Sequence, residues 1–201
     1  MVFKRSEKTD RAAERAMPLP VKIIVAGGYA VGKTTFVGSI SEIEPLTTEA
    51  ALTSHSAGVD IAGEAGKRST TVAMDFGRIT LGDDLILYLF GTPGQDRFHF
   101  MWDDLVRGAI GAVVLVDTSR LQDCFAAVDY FEAAGIPFVV AINAFFGRLH
   151  HKLDDVREAL ALSPEVPLMV TDARERTATK GALLELVQQA LIRASPAAPV
   201  R

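Results

Sequence analysis

The chain is expected to fold as an α/β domain: a mostly parallel six-stranded sheet with one antiparallel edge strand and helices packed on both faces. Three observations predict this. Short β-rich runs alternate with helical patterns along the chain, so most strands are joined by crossover helices and lie parallel. Two of those runs are separated only by the tight turn "GDD" at Gly82 to Asp84, which makes an antiparallel hairpin. Finally, 201 residues, 49% apolar and 23% charged, suit one compact domain with a single ample core.

The strand runs, in order, are "VKIIVAG", "TVAMDFGRITL", "LILYLFGT", "GAVVLVDT", "FVVAIN" and "LMVTDA". Between them "GKTTFVGSISEI", "DRFHFMWDDLVRG", "TSRLQDCFAAVDYFEAAG", "GRLHHKLDDVREALALS" and "TATKGALLELVQQALIRA" carry apolar residues at helical spacing. Two segments break this rhythm. Residues 1–18 end in "PLP" and read as a polar tail or frayed helix, leaving a domain over 19–196 and a short tail over 197–201. From Glu44 to Ser69 runs a stretch rich in Thr, Ser, Ala and Gly with little periodicity, and connections of that length inside a compact domain are usually functional or mobile.

Composition removes several function classes. A formal net charge of −4 without a clustered basic surface argues against nucleic-acid binding, which must neutralise phosphates. A lone Cys124 permits no internal disulfide framework and reads as a packed thiol. The N-terminus lacks a signal-peptide core, no apolar run reaches the ~20 residues of a membrane span, and neither terminus carries a lipidation signal. A cytoplasmic protein with no direct membrane anchor is expected, any recruitment to a membrane coming through partners.

The informative stretch is "VAGGYAVGKTT", Val25 to Thr35. Gly27, Gly32, Lys33 and Thr34 fit G-x-x-x-x-G-K-[ST] at the end of one predicted strand and the start of a helix, the setting in which that spacing makes a phosphate loop. Glycine reaches backbone conformations closed to other residues, so the N–H groups from Gly27 through Gly28, Tyr29, Ala30, Val31 and Gly32 to Lys33, Thr34 and Thr35 can turn inward around a polyphosphate. The helix dipole adds to that field. Lys33 then reaches the β- and γ-phosphates and the Thr34 hydroxyl ligates Mg²⁺. The expected fold is therefore the three-layer sandwich of the P-loop NTPases.

With "TTVAMDFGRI" on the second strand run and "LFGTPGQDRF" after the third, the sequence resembles the Ras-like small GTPases. The resemblance implies GTP and GDP as ligands with Mg²⁺. It makes Thr71 the switch threonine that closes on the metal and γ-phosphate, with Thr70 as its near alternative, Gly94 the γ-phosphate sensor and Gln95 the residue that orients water. The wider run from "EIEPLTTEAALT" to "GAIGAVVLVDT" resembles the small GTPases encoded in actinobacterial conservons, and is similar to the bacterial polarity GTPases of gliding motility. That branch implies a roadblock-type dimer as partner, a sensor-kinase-like protein in the same complex, and an extended first switch before Thr71.

Four departures from the family pattern bear on chemistry. Gly91 stands where the family has the Asp that holds Mg²⁺ through water, so either metal affinity is lower or Asp75 or Asp117 substitutes. Tyr29 replaces a small residue of the phosphate loop and crowds the space near Gln95, so hydrolysis should be slow. Pro93 stiffens the hinge before Gly94. In "AINAFF", Asn143 keeps the first position of the family's N-K-x-D, but Phe146 replaces the Asp that pairs with guanine, a loss of a few kcal/mol. "TDAR", Thr171 to Arg174, sits where the family's S-A-K contacts the base, so the resemblance implies the Ala173 N–H as the backbone contact, with Asp172 beside it as a substitute acceptor.

Other residues have plainer readings. His150 and His151 suit a solvated helix face, Arg68 and Arg97 suit surface positions or an in-chain arginine finger, and "FHFMWDD" suits either core or an exposed patch. The sequence thus points to a guanine-nucleotide switch with slow, partner-dependent hydrolysis. The departures also describe a pseudo-GTPase scaffold. A small-molecule kinase is disfavoured by the switch-like "GTPGQD" and the lack of an Arg-rich lid.

Overall fold

The computed structural model describes residues 17–52, 70–82, 84–94, 96–144 and 147–195. The strands are β1 (Leu19–Gly27), β2 (Leu46–Leu52), β3 (Thr70–Leu81), β4 (Leu85–Gly91), β5 (Ala109–Val116), β6 (Phe138–Asn143) and β7 (Leu168–Thr171). They form one sheet in the order β2-β3-β4-β1-β5-β6-β7. The helices are α1 (Lys33–Ile40), α2 (Trp102–Val106), α3 (Phe125–Ala133), α4 (Leu153–Ala159) and α5 (Arg176–Ala194), with single 3₁₀ turns over Asp96–Met101 and Leu121–Cys124.

The six expected strands are present, and only β3 runs against the rest, hairpinned to β4 and antiparallel to β2. The sheet also gains a seventh strand. Residues 46–52 were expected to belong to an aperiodic connection, yet Leu46 to Leu52 pair residue for residue with Phe76 back to Thr70. "LTTEAAL" has little β propensity of its own. Its hydrogen bonds come from the long β3, whose outer edge would otherwise be left open.

Alternation along the parallel strands splits the core in two. Ile23 and Val25 of β1, Leu87 and Leu89 of β4, and Val113 and Leu115 of β5 face α1 and α5, where Phe36, Ile40, Leu183 and Leu186 are buried. The intervening Ile24, Ala26, Ala112 and Val114 face the other way, onto Trp102, Val128, Phe131 and Val156. Both faces of the central strands are therefore apolar, as crossover helices on both sides require. "FHFMWDD" divides accordingly: Trp102 is buried beside Phe131 and Tyr130, whereas Phe100 is exposed.

β1 and β4 lie side by side and end together, Val25 opposite Gly91. Both deliver their following loops to one rim of the sheet, beside the start of α1. Ligands of open parallel sheets bind at that rim, where strand order reverses about the first strand.

Candidate functional site

The chain leaves β1 at Gly27 with φ 131° and enters α1 through Gly32 with φ 105°. Both lie in the left-handed region where a Cβ is penalised. A Cβ on Gly27 would also run into the Leu115 carbonyl of β5, so the loop leaves the sheet without room for a side chain there. Ala30 takes φ 58° between them, completing a tight turn of successive N–H groups.

Lys33 opens α1 and folds back into this turn. Its Nζ donates to the carbonyls of Gly27 at 2.9 Å and Gly28 at 2.6 Å, and the residue is only 8% exposed. Burial lowers its pKa from 10.5 to about 8, opposed by the nearby Asp75 carboxylate. A lysine held at the bottom of a backbone cradle, donating to two carbonyl oxygens, is suited to exchange them for phosphate oxygens.

Thr34 donates from Oγ1 to Asp75 Oδ2 at 2.7 Å. Of the two substitutes left open for the missing acid of β4, Asp75 stands next to the threonine. Asp117 instead accepts from the Ser119 N–H and hydroxyl and pairs with Arg120. The residues present fit a polyphosphate with Mg²⁺: a glycine cradle, a buried lysine and a threonine hydroxyl beside a buried carboxylate. Among the described residues no three His, Cys, Asp or Glu side chains cluster as a metal site, so an ion here would depend on phosphate oxygens for much of its shell.

Gly94 closes the site from the β4 side. A Cβ there would lie 2.6 Å from Lys33 Nζ and 2.8 Å from the Gly28 carbonyl, so the backbone after β4 rests directly on the phosphate loop. Thr71 is placed elsewhere. It stands in the ladder opposite Ala51, four residues before Asp75, or roughly 13 Å back along an extended strand. For Thr71 to meet an ion on Thr34, the start of β3 would have to leave that ladder. Gln95 and Phe146 lie outside the described residues, as does Arg68.

Tyr29 is 64% exposed at the loop's tip, and its carbonyl accepts from Arg120 Nη2 at 3.0 Å. With Gly94, His99, Asp123 and Phe125 it lines an open cavity of about 660 Å³ beside the phosphate loop. Tyr29 thus borders the mouth of the site; Gln95, which it was expected to crowd, lies outside the described residues.

On the opposite side, Asn143 at the end of β6 is 4% exposed and ties two loops together. Its Nδ2 donates to the Val31 carbonyl at 2.9 Å and its Oδ1 accepts from the Ala173 N–H at 3.0 Å. The backbone donor expected to meet a base is thus engaged by Asn143. Asp172 accepts from Arg174 at both carboxylate oxygens, at 2.9 and 2.6 Å, and those bonds hold its pKa down to about 2. Arg174 is the residue that sequence reasoning missed; the i, i+2 spacing of opposite charges in "TDAR" was the available signal. Cys124 is buried, its thiol donating to the Leu121 carbonyl and pushed up to about 12 by burial, which suits packing rather than chemistry. His150 and His151 are exposed just before α4.

Comparison with known proteins agrees with this geometry. A family model described as "conserved hypothetical ATP binding protein" matches residues 25–193. An uncharacterized protein of Methanocaldococcus jannaschii is 30% identical over 125 residues, covering 61% of this chain and 69% of its own. Translation initiation factor IF-2 of a Ruegeria species is 28% identical over 135 residues, but the match spans only 14% of that factor. Among solved structures, the FeoB G-domain from Methanococcus jannaschii superposes with a TM-score of 0.57 at 12% identity, over 86% of this chain and 98% of that one, a likeness of fold.

Proposed function

The chain belongs to the family of conserved hypothetical ATP-binding proteins, and from that premise we propose that it is a nucleotide switch that binds GTP with Mg²⁺ and hydrolyses it slowly. The observation that carries the reading is the buried Lys33 ammonium inside the Gly27–Gly32 turn, directly beside the Thr34–Asp75 pair. That arrangement offers a cation and inward N–H groups to the β- and γ-phosphates, and a hydroxyl to the metal. Mg²⁺ supplies charge neutralisation on the phosphoryl oxygens. Gly94, resting on Lys33, is the backbone that a γ-phosphate would meet first, and this supports a switch at the loop after β4.

In this reading Gln95 orients the attacking water, Thr71 reaches the metal only when the start of β3 rearranges, and Tyr29 at the mouth keeps intrinsic turnover low. The result is shown to a protein partner, by resemblance a roadblock-type dimer within a sensor-kinase-like complex. Among the described residues no helix is long and apolar enough to cross a membrane.

Calorimetry with GTP, GDP, ATP and a non-hydrolysable GTP analogue, with and without Mg²⁺, tests the reading. Guanine preference lost in Lys33→Ala supports it, and no binding of any nucleotide refutes it. Binding without a single-turnover burst, even with the partner present, would leave a scaffold. An adenine preference is the second reading. It is favoured by the Arg174 grip on Asp172, which occupies both carboxylate oxygens that a guanine edge would need as acceptors.

A further inference from the structure

The cross-strand pair Asp75 and Gly91 bears on a question that the phosphate loop leaves open, namely which carboxylate serves the metal. The two residues face each other on β3 and β4. Opposed Cβ atoms in a sheet normally stand 4.5–5.5 Å apart. Here a Cβ built on Gly91 would lie 3.0 Å from the Asp75 Cβ and 3.1 Å from its Oδ2. The two positions thus share one volume, which a single side chain fills. Two carboxylates there would also repel each other. The side chain that fills the space is 7% exposed and receives the Thr34 hydroxyl proton at 2.7 Å.

We propose that Asp75 is the positioning carboxylate of the metal site, placed on β3 instead of β4, with Gly91 as the vacated partner that makes room for it. The inference rests on the nucleotide-binding reading above. By accepting the Thr34 proton, Asp75 orients the hydroxyl so that its oxygen lone pairs face the ion, and its negative charge lies behind that ligand. Carboxylates bonded to a metal ligand tune metal affinity in this way, and their loss costs about 10–100-fold. Asp75 also contributes to the field that keeps the buried Lys33 charged.

The test is the release of fluorescently labelled GDP, and of labelled ADP in parallel, in Mg²⁺ and in EDTA. Wild type is compared with Asp75→Asn and with the exchange Asp75→Gly/Gly91→Asp. Wild type should release nucleotide at least about tenfold more slowly in Mg²⁺ than in EDTA, a typical coupling between two ligands. D75N, nearly isosteric, should lose most of the Mg²⁺ effect, the ratio of its release rates in EDTA and in Mg²⁺ falling toward one. The exchange returns a carboxylate to the same volume from the other strand and should restore it. A D75N protein that keeps the full Mg²⁺ effect, or an exchanged protein as insensitive as D75N, overturns the inference while leaving nucleotide binding intact. A wild type that binds neither labelled nucleotide overturns both readings.

Discussion

Gly94 lies against Lys33 so closely that a methyl group at position 94 would stand 2.6 Å from Nζ. The Nζ atom ends a flexible chain and can retreat, but the Gly28 carbonyl, 2.8 Å from the same point, belongs to the backbone of the phosphate loop. Gly94→Ala should therefore hold the loop after β4 away from the nucleotide. We expect GDP affinity within about threefold of wild type and single-turnover hydrolysis down at least about tenfold, since a displaced loop removes interactions made only in the transition state. Unchanged hydrolysis would show that Gly94 does not act at the γ-phosphate.

Lys33 gives the site a pH signature. In the nucleotide-free protein its folded pKa of about 8 lies below the ordinary 10.5, so the unfolded chain keeps the proton longer and folding stability rises with pH between those values. Polyphosphate binding reverses the shift by restoring a partner to the ammonium. Binding at pH 8 should take up roughly half a proton, and affinity should fall as pH rises through that value. Calorimetry in two buffers of different ionisation enthalpy measures the uptake. Lys33→Met should abolish it, and an equal uptake in that variant would assign the proton to another group.

The phosphate loop was legible in the sequence because its determinants are contiguous: eight residues carry both the spacing and the strand-to-helix setting. The parallel sheet was legible for a similar reason, each strand announcing itself by its own apolar run. Features that depend on another segment were not. β2 takes its hydrogen bonds from β3, and "LTTEAAL" alone does not specify them. That Asp75 and not Asp117 stands beside Thr34 depends on the β3–β4 register, which sets Asp75 opposite Gly91. Thr71 was readable as a motif residue, yet its ladder with β2 places it away from the loop.

Asn143 braces the site from beneath, and its loss should be felt in folding before chemistry. Asn143→Ala leaves the Val31 carbonyl and the Ala173 N–H without their side-chain partner in a buried setting. An unsatisfied buried polar group costs roughly 1–3 kcal/mol, so urea unfolding should report a loss of about 3 kcal/mol. Nucleotide affinity should fall as well, because the brace sets the distance between the phosphate and base loops. A loss under about 1 kcal/mol would mean that water replaces the amide without penalty.

Asp172 is the acidic side chain closest in sequence to the Ala173 backbone donor, and Arg174 holds both of its oxygens. Neither residue is deeply buried, so the pair can be separated without a large folding penalty. Arg174→Ala releases the carboxylate to accept from the ring N–H and exocyclic amine of guanine, groups that adenine does not present in that arrangement. The ratio of GTP to ATP affinity should then rise several-fold, mostly through GTP, because a freed carboxylate strengthens a hydrogen bond to guanine and leaves adenine without a matching donor. Asp172→Asn in the same background should reverse the gain. If the ratio stays fixed in both variants, Asp172, in the loop after β7, does not face the base, and discrimination resides elsewhere.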